Sequence, residues 1–577
     1  MSTPPTAAAA PVRRGPAFIP IMRWLPHYRR TWLRGDVLAG LAVASVAIPT
    51  AMGYSTVADV PVQVGLYALP AALILYAIFG SSRQVSVGPT STVAIMSGAV
   101  VFGVVGSGDP VRATAVSAAV AISAGLLLTL AGALRLGWIT DFISRPVITG
   151  FTIGLSIVVI CGELPHLLGV PTSTTQFVPR LWETVQQIPD ASLETMVIGA
   201  LSLVVVFGGP RLLPQAPWAL ILMIAGIIGA GWLHPAESHL EVLGAVPAGL
   251  PVPAVPAISM ADVPQVVLGG LAVAIAGVGE GLSAARVFAA RGNYRVNSDQ
   301  EFLGTGIANV GAGFSGGMPV TGSLSRTATA AQSGGKTQLT GVVAALCVLV
   351  VLLAFTGLLA NVPRSVLSAI VIASVWPLLA FPTLHHYLKV RRNDYVAALT
   401  GLVGVLLFGP LYGLLAAVAI SVIGLTFRSS RVTIDPLGKI PGEKAGWGAI
   451  VDHPDREQAD GILVLRVNAP MFWANAARMH DLVLQEVDDS PGIRALVLDL
   501  EATSQLDSTS IDALHALLDQ LQADDVELFI ARLHYTARVV LDNSGFTDLL
   551  GEGHMWHSIS QSVKAAKKSL KATRTNG

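Results

Sequence analysis

Long stretches without a charged residue are the feature of this sequence that most restricts its fold. Charged residues make up 12% of the 577 residues, whereas an ordinary soluble protein carries roughly 25%. The charge-free stretches repeatedly reach the length of about 20 mostly apolar residues that a membrane-crossing helix needs. The sequence therefore predicts an α-helical polytopic membrane protein with about fourteen spans, counted by that length criterion.

The predicted spans follow one another along the first three quarters of the chain. They are Val37–Ala58, Val60–Ser82, Gln84–Gly108, Ala113–Leu134, Pro146–Gly162, Thr195–Pro210, Leu212–Trp232, Gln265–Arg286, Phe302–Phe314, Pro319–Ala331, Gly341–Leu359, Val366–Leu379 and the two halves of Tyr395–Phe427. The last stretch is too long for one span, and Gly409-Pro410 divides it. The first 34 residues hold arginines and no acidic residue, which predicts a cytoplasmic N-terminus. An even number of spans then predicts a cytoplasmic C-terminus as well.

Two spans open with a helix-breaking stretch, GPTSTVAIMSG from Gly88 and MPVTGSLSRTA from Met318. Non-helical backbone at membrane depth must be buried in protein or line a watery cavity. Paired interrupted segments are typical of inverted-repeat transporters. Helix N-termini carry partial positive charge and free N–H groups, so two that meet would form an anion site without a metal. The alternative is that both stretches are ordinary loops.

Two ionisable residues fall within these apolar stretches. Arg326 is the first charged residue after Glu301, and Glu280 lies in a segment that has no other charge before Arg286. An ionisable residue at membrane depth is a functional-site hypothesis by default. Low-dielectric surroundings disfavour the charged form of a carboxyl group, so Glu280 is predicted to bind and release a proton. The alternative is a permanent Glu280–Arg326 ion pair that serves the structure.

Past Arg431 the composition changes and apolar runs shorten to strand length. Ile462–Val467, Ala495–Leu500 and Val526–Ala531 are predicted strands. Helical periodicity covers Ala474–Glu486, Thr509–Gln522 and Ser558–Leu570. The alternation predicts a small cytosolic α/β domain. The predicted division is an N-terminal arm at 1–34, a transmembrane domain at 35–428, a linker at 429–447 and this domain at 448–577.

Several motifs resemble those of the SulP sulfate-permease family of anion transporters with a C-terminal STAS domain. In the membrane half, Ile48–Ala68, Phe79–Ala94 and Val278–Gly341 are similar to family signatures. NAPMFWANA from Asn468 and LDLEATSQLDSTSIDAL from Leu498 are typical of STAS domains. The resemblance covers about residues 20 to 565. It implies seven plus seven inverted repeats, a core domain that moves against a gate domain, and a homodimer.

The resemblance implies a secondary active transporter and not an enzyme. Family members move sulfate, bicarbonate, chloride, nitrate or dicarboxylates, with H⁺ coupling, Na⁺ coupling or exchange. The prediction for this chain is uptake of a small oxyanion of the sulfate, bicarbonate or dicarboxylate class by H⁺-coupled, elevator-like symport. It is expected in a bacterial inner membrane, in contact with lipid, with both termini cytoplasmic. No cofactor, metal or nucleic-acid partner is predicted.

The resemblance also implies a set of site residues. The tenth span would bind the anion through Ser323, Leu324, Ser325 and Arg326, and the third span would face it with Pro89, Thr90, Ser91 and Thr92. The first span would add Thr50 and Tyr54, although Thr50 replaces the family's common glutamine. Glu280 would couple the proton. Ala284 stands where a sodium-coupled member has a hydroxyl, which favours H⁺ over Na⁺.

Other interpretations stay open at this point. They are an uncoupled or Na⁺-coupled exchanger of the same family, a nucleobase transporter of similar fold, and a membrane-anchored STAS signalling scaffold. In the STAS part, Ser508 occupies the place of the serine that is phosphorylated in anti-sigma antagonists, but Asp507, Ser508 and Thr509 also suit a helix cap. Gly334-Gly335-Lys336-Thr337 resembles the end of a P-loop, but Ala330 replaces the required first glycine.

Overall fold

The computed structural model describes residues 19–576 except 107, 143, 173, 175–176, 214–215, 234–239, 245, 444–445 and 452–455. Most of the N-terminal arm, including Arg13 and Arg14, lies outside these residues. The chain forms two compact units, of which the first ends at Ser421 and the second begins at Val422.

The first unit is almost entirely helical. Its elements are α1 (Ile21–Trp24), α2 (Leu33–Val57), α3 (Val62–Phe79), β1 (Ser86–Gly88), α4 (Ser91–Val105), α5 (Pro110–Ala133), α6 (Arg145–Leu168), α7 (Phe177–Gln186), α8 (Leu193–Leu212), α9 (Trp218–Leu233), α10 (Val263–Arg291), α11 (Ser298–Phe314), β2 (Thr321–Ser323), α12 (Leu324–Gln332), α13 (Leu339–Ala354), α14 (Thr356–Leu359), α15 (Arg364–Val375), α16 (Phe381–Val390) and α17 (Arg392–Ser430), whose residues from Val422 on belong to the second unit. Gly409 has φ 80° and ψ 170°, so α17 is two helices joined at the predicted break.

Within the described ranges, nine helical segments are long and apolar enough to cross a membrane, and three shorter apolar helices accompany them. The shorter ones include α4, whose predicted span began at Gln84. That span is short as a helix because its first residues form β1 instead. The helical membrane fold is confirmed, while the count of fourteen crossings stays a prediction.

The helices of the first unit pack in two sets. In one set, α11 packs on α5 and α3, α13 packs on α2 and α3, and α10 packs on α5 and α4. In the other, α15 packs on α6 and α8. The two sets meet closely where α2 touches α15, because a Cβ atom on Gly53 would overlap the side chain of Val371.

Two buried carboxylates join distant segments at the helix ends on the N-terminal side of α2. Glu301 accepts hydrogen bonds from the Tyr76 hydroxyl at 2.7 Å and from the Ser81 and Ser82 N–H groups at 2.9 and 2.8 Å. Asp36 accepts from the Lys336 N–H at 2.7 Å and the Thr337 hydroxyl at 2.7 Å. The P-loop-like residues therefore bind a carboxylate of the protein, which agrees with rejecting a nucleotide site.

The second unit is a mixed sheet with helices. Its elements are β3 (Ile434–Lys439), β4 (Trp447–Ala449), β5 (Ile462–Val467), α18 (Ala476–Asp488), β6 (Ala495–Asp499), α19 (Ser508–Ala523), β7 (Glu527–Ala531), α20 (Tyr535–Asn543), α21 (Phe546–Leu550), β8 (Met555–Trp556) and α22 (Ile559–Asn576). The strand order is β4-β3-β5-β6-β7-β8, and β5 to β8 run parallel. The three predicted strands and three predicted helices are present, with ends shifted by a few residues at most for all but the last helix.

The segment 429–447 differs from the predicted linker. Its middle forms β3, which pairs antiparallel with β5, and its last residue begins β4. Pro436 and Gly438 lie inside β3, and both residue types argue against a strand in the interior of a sheet. The local sequence therefore does not predict this strand, which forms by pairing with β4 and β5.

Candidate functional site

The two interrupted spans meet in the first unit. Their strands β1 and β2 pair antiparallel, with Ser86 opposite Ser323, Val87 opposite Gly322 and Gly88 opposite Thr321. The helices α4 and α12 begin within three residues of this pair. The prediction that the two helix-breaking stretches meet is confirmed, and we call this place the helix crossing.

Side-chain hydrogen bonds to neighbouring helices hold the crossing in its non-helical shape. Asn309 on α11 donates to the Val320 carbonyl at 2.7 Å and accepts from the Val320 N–H at 2.9 Å. Thr321 donates to the Gly277 carbonyl of α10 at 2.5 Å. Buried backbone groups that lack a helical partner must be satisfied in this way, so the crossing is a built feature of the protein and not a loose loop.

Both helix starts keep backbone donors available. Thr90 is the residue before α4, but its side chain makes no capping hydrogen bond. Ser323 does cap α12, since its hydroxyl accepts from the Arg326 N–H at 3.4 Å. The N–H groups of Leu324 and Ser325 open α12 and have no carbonyl one turn earlier in the helix. Ser91 and Thr92 stand in the same position in α4.

Arg326 joins the two halves of the crossing. It is 2% exposed and donates from Nη1 to the Pro89 carbonyl at 2.7 Å. Its Nε and Nη2 atoms are buried and have no hydrogen-bond partner among the residues that the structure describes. A buried charged group without partners for its donors is costly, so the guanidinium has capacity for an acceptor that the protein itself does not provide. The Ser86 hydroxyl, in β1, is likewise buried and unpartnered.

Glu280 lies on α10 and is partly exposed. The Thr90 hydroxyl donates to its Oε2 atom at 3.0 Å. In the part of the chain that the structure describes, Glu280 and Arg326 form no ion pair. Each instead bonds to the start of the third span, Arg326 through Pro89 and Glu280 through Thr90. The permanent ion pair considered from the sequence is therefore wrong for this conformation.

The two residues expected from the first span differ in their contacts. The Thr50 hydroxyl donates to the Val46 carbonyl of its own helix at 2.8 Å, so its donor is used within α2. The Tyr54 hydroxyl donates to Ser374 on α15 at 2.8 Å. Tyr54 is buried and lies close enough to Arg326 and Glu280 to interact with both charges. Tyr54 therefore borders the crossing, and Thr50 contributes mainly its packing.

One face of the crossing is open. Leu324 is 50% exposed and Ser325 is also exposed, although the preceding residues of β2 are buried. The Ser325 hydroxyl lies 3.1 Å from that of Ser323. An anion that reached this face would meet hydroxyls and helix-start N–H groups before the guanidinium.

The STAS residue Ser508 is exposed and is the first residue of α19. Asp507 is the cap of this helix, since its carboxylate accepts from the Ser510 N–H at 2.8 Å and from the Trp473 N–H at 2.7 Å. Partial burial alone would raise the pKa of Asp507, but the hydrogen bonds from Ser510 and Trp473 lower it. Capping therefore belongs to Asp507 alone, and a regulatory role of Ser508 stays a prediction.

Sequence reasoning missed two residues that shape the site. Asn309 fixes the strand before α12, and Ser374 binds Tyr54 from a helix 320 residues later in the chain. A lone asparagine in an apolar helix is a signal that could have been used, because a polar amide at membrane depth needs partners. Ser374 carried no such signal, since a serine can bond to its own helix backbone.

A helical membrane unit with two interrupted helices that cross, followed by an α/β unit, is the architecture of a multi-pass membrane transporter with an appended α/β domain. Residues 33–401 match the Sulfate permease family, and residues 453–566 match the STAS domain. The chain belongs to the Sulfate permease family of anion transporters.

Relatives extend this assignment over the whole chain. A probable sulfate transporter of Mycobacterium tuberculosis is 34% identical over 543 residues, which are 94% of this chain and 97% of the relative. The structure of the murine Solute Carrier 26 family member A9 anion transporter, in the inward-facing state, superposes with a TM-score of 0.90 at 20% identity and covers 97% of this chain and 96% of that chain. The transmembrane domain of the cyanobacterial bicarbonate transporter BicA gives a TM-score of 0.59 at 23% identity, over 69% of this chain and 99% of that domain. Both structural likenesses concern the fold.

Proposed function

We propose that this protein takes up a small oxyanion by H⁺-coupled symport and that the helix crossing binds the anion. The observation that carries the proposal is Arg326, whose buried guanidinium has two unpartnered nitrogen atoms beside two helix starts. Helix-end terms supply only about 0.3–2 kcal/mol each, so a fixed cation adds what an anion in a low-dielectric site needs. Ser323, Leu324 and Ser325 would complete the site from α12, and Pro89, Thr90, Ser91 and Thr92 from the third span.

Sulfate is the first anion to test, because the Mycobacterium tuberculosis relative is named a probable sulfate transporter. Bicarbonate and a dicarboxylate such as succinate present the same acceptor chemistry to N–H and O–H donors. Thr50 uses its hydroxyl within α2, so we expect the first span to contribute Tyr54 and shape rather than an amide-like donor.

Glu280 is the proposed proton carrier. Its carboxyl group accepts a hydrogen bond from Thr90, the residue just before α4, and it has no ion-pair partner among the described residues. A proton on Glu280 and an anion beside Thr90 would therefore share one hydrogen-bond network. Ala284 offers no oxygen ligand one turn later, and hard cations such as Na⁺ require oxygen ligands, so H⁺ is favoured as the coupling ion.

The proposed orientation follows from charge. The helix ends on the N-terminal side of α2 carry mainly basic residues, namely Arg34, Arg83, Arg135, Arg145, Arg211, Arg286, Arg291 and Lys389. The opposite ends mix the acidic Asp59, Asp109, Glu241 and Asp262 with Arg112, Arg180 and Arg364. The positive-inside rule supports a bacterial inner-membrane protein with both termini in the cytoplasm. We further propose a homodimer and an elevator-like motion of the crossing against α6, α8 and α15, since the helices pack in two sets.

The test is anion uptake into proteoliposomes that contain the full-length protein. We expect an inward proton gradient to drive accumulation of sulfate, with bicarbonate and succinate as comparison anions. Glu280→Gln should abolish gradient-driven accumulation but keep anion binding, measured as a thermal shift. Gradient-driven accumulation by Glu280→Gln equal to that of the unmodified protein would refute proton coupling through this residue.

Arg326→Ala tests the anion site itself, because it should abolish the thermal shift caused by the anion. Arg211→Ala is a matched control, since Arg211 also donates to a backbone carbonyl at 2.7 Å but is exposed and remote from the crossing. An anion-induced shift that survives in Arg326→Ala, or that is lost equally in Arg211→Ala, would contradict the proposal.

A further inference from the structure

Besides Asp36 and Glu301, a further buried carboxyl group lies in the described part of the membrane unit and has no part in the proposed anion site. Glu163 on α6 is 4% exposed. The Ser368 hydroxyl on α15 donates to its Oε2 atom at 2.5 Å, and Ser368 itself is 2% exposed. The two residues thus join the helices α6 and α15 through one hydrogen bond.

Glu163 has no ion-pair partner among the residues whose positions the structure gives, although a cation is near. Arg180 on α7 interacts with it electrostatically, but the guanidinium donates from Nη2 to the Gly162 carbonyl at 2.7 Å. The Nε atom of Arg180 is buried without a partner. A carboxylate buried without a paired cation is costly, so the arrangement suits the protonated acid and leaves Arg180 available for the charged form.

The carboxyl group lies next to a water-accessible space. A cavity of about 460 Å³ is lined by Ser368 and by His166, which follows Glu163 by three residues on α6. Asp59, Asp109 and Arg364 line the same cavity. These residues belong to the helix ends opposite those of Arg34 and Arg83, so in the proposed orientation the cavity faces the outside of the cell.

The same helix that binds Glu163 also reaches the helix crossing. Ser374 on α15 lies six residues after Ser368 and accepts from Tyr54, which borders the anion site. Between them, Val371 packs against Gly53, so no open path joins the cavity and the crossing at this contact. A change in the protonation of Glu163 can therefore affect the anion site by shifting α15. Water cannot pass directly from the cavity to the crossing at this contact.

We propose that Glu163 is a second proton-binding residue of this transporter, filled from the cavity through Ser368 and separate from Glu280. A hydronium ion in the cavity gives a proton to the Ser368 hydroxyl oxygen while the hydroxyl proton passes to Oε2 of Glu163, and release reverses both transfers. In the charged form, Arg180 is the near cation that stabilises the carboxylate. The charged group that interacts with Glu163 directly is Arg180 on α7. Around this pair, Asp59 and Glu183 interact with Arg180, and His166 interacts with Arg180 and with Arg364 on α15.

The use of this proton in transport rests on the proposed function, but the binding of a proton by Glu163 does not. The first test therefore needs no transport. Infrared difference spectra of the reconstituted full-length protein, taken without anion between acidic and neutral pH, report protonated carboxyl groups through their C=O stretch. We expect Glu163→Gln to remove one component of this signal and Glu280→Gln to leave that component in place. A spectrum of Glu163→Gln that equals the unmodified one would overturn the proposal.

A milder variant covers the case in which Glu163→Gln does not fold. Ser368→Ala removes the hydrogen bond but keeps the acid, so the Glu163 component should stay and change its frequency. An unchanged frequency in Ser368→Ala would also overturn the proposal. If the infrared component is present, sulfate uptake by Glu163→Gln should lose its dependence on the pH of the cavity side while counterflow at equal pH continues. If only the prediction for Glu280→Gln in the uptake assay is wrong, the proposed function is contradicted but this inference stands.

Discussion

Arg326, at the start of α12, donates a hydrogen bond to the carbonyl of Pro89, which precedes α4, at 2.7 Å. The cation of one interrupted helix is thereby held at the start of the other. The carbonyl takes one donor of the guanidinium and leaves two nitrogen atoms without partners in the protein. This division of donors would let one arginine stabilise the crossing and also bind the anion, as we propose.

Replacing Arg326 with lysine should separate charge from geometry. A lysine keeps the positive charge but presents a single ammonium group in place of the planar fork. Hydrogen bonds to charged groups are worth about 1.5–3 kcal/mol, so we expect anion affinity to fall about tenfold or more. Calorimetric titration of the purified protein with sulfate measures the effect, with Arg211→Lys as the control. Equal affinities in Arg326→Lys and the unmodified protein would argue against direct contact.

Gly88 is the position at which added volume should disturb the site most directly. A Cβ atom there would lie 2.7 Å from Leu69 Cδ2 and 3.1 Å from Arg326 Nη2. We expect Gly88→Ala to weaken sulfate binding and to destabilise the protein by about 1–3 kcal/mol through overpacking.

Gly103→Ala is the matched control for this substitution, because a Cβ atom on Gly103 of α4 would meet nothing within 4 Å. It should leave binding unchanged in the same titration. If Gly88→Ala leaves sulfate binding unchanged, as Gly103→Ala should, the predicted overlap of the added Cβ atom with Leu69 and Arg326 is wrong.

Thr90 joins the proposed anion site to Glu280, the proposed proton carrier, through one hydrogen bond. Thr90→Val keeps the shape of the side chain and removes the hydroxyl that bonds to Glu280. Because Thr90 makes no side-chain capping bond, α4 should lose less than the roughly 1 kcal/mol of a lost helix cap. We expect folding and sulfate counterflow to persist while the accumulation driven by a proton gradient declines. Thr90→Ser should restore it, and full coupling in Thr90→Val would remove Thr90 from the pathway.

In the STAS domain, Asp507 and not Ser508 should determine the stability of α19. Asp507→Ala removes a helix cap and should cost about 0.5–2 kcal/mol, whereas Ser508→Ala at an exposed position should change little. Hydrogen exchange of the α19 amides in the full-length protein measures both.

The effect of Asp507 should depend on pH in a definite direction. Since the pKa of Asp507 is lowered in the folded protein, its contribution is fully present above the pKa of an unfolded aspartate. The contribution is lost as the pH falls through the folded value. Asp507→Ala and the unmodified protein should therefore converge in acid, and a constant difference at all pH values would contradict the assignment.

The sequence by itself determined the helical membrane fold, the two interrupted spans and the buried strands of the α/β domain. A local sequence pattern indicates each of these features. Long charge-free stretches indicate the helices, Gly and Pro indicate the breaks, and continuous apolar runs such as Ile462–Val467 indicate the parallel strands. Burial in lipid or in a sheet acts on consecutive residues, so the sequence records it directly. The strand β3 was not predicted because Pro436 and Gly438 interrupt its apolar pattern.

Only the tertiary structure determined the hydrogen-bond partners of the polar side chains. Arg326 bonds to Pro89, which is 237 residues away in the chain, and Tyr54 bonds to Ser374, which is 320 residues away. The sequence offered Glu280 and Arg326 as partners because opposite charges attract. In the folded protein each finds a nearer group at the start of the third span. A hydrogen bond depends on separations of about 3 Å between donor and acceptor, and distances on that scale are set by how helices pack, not by the order of residues along the chain.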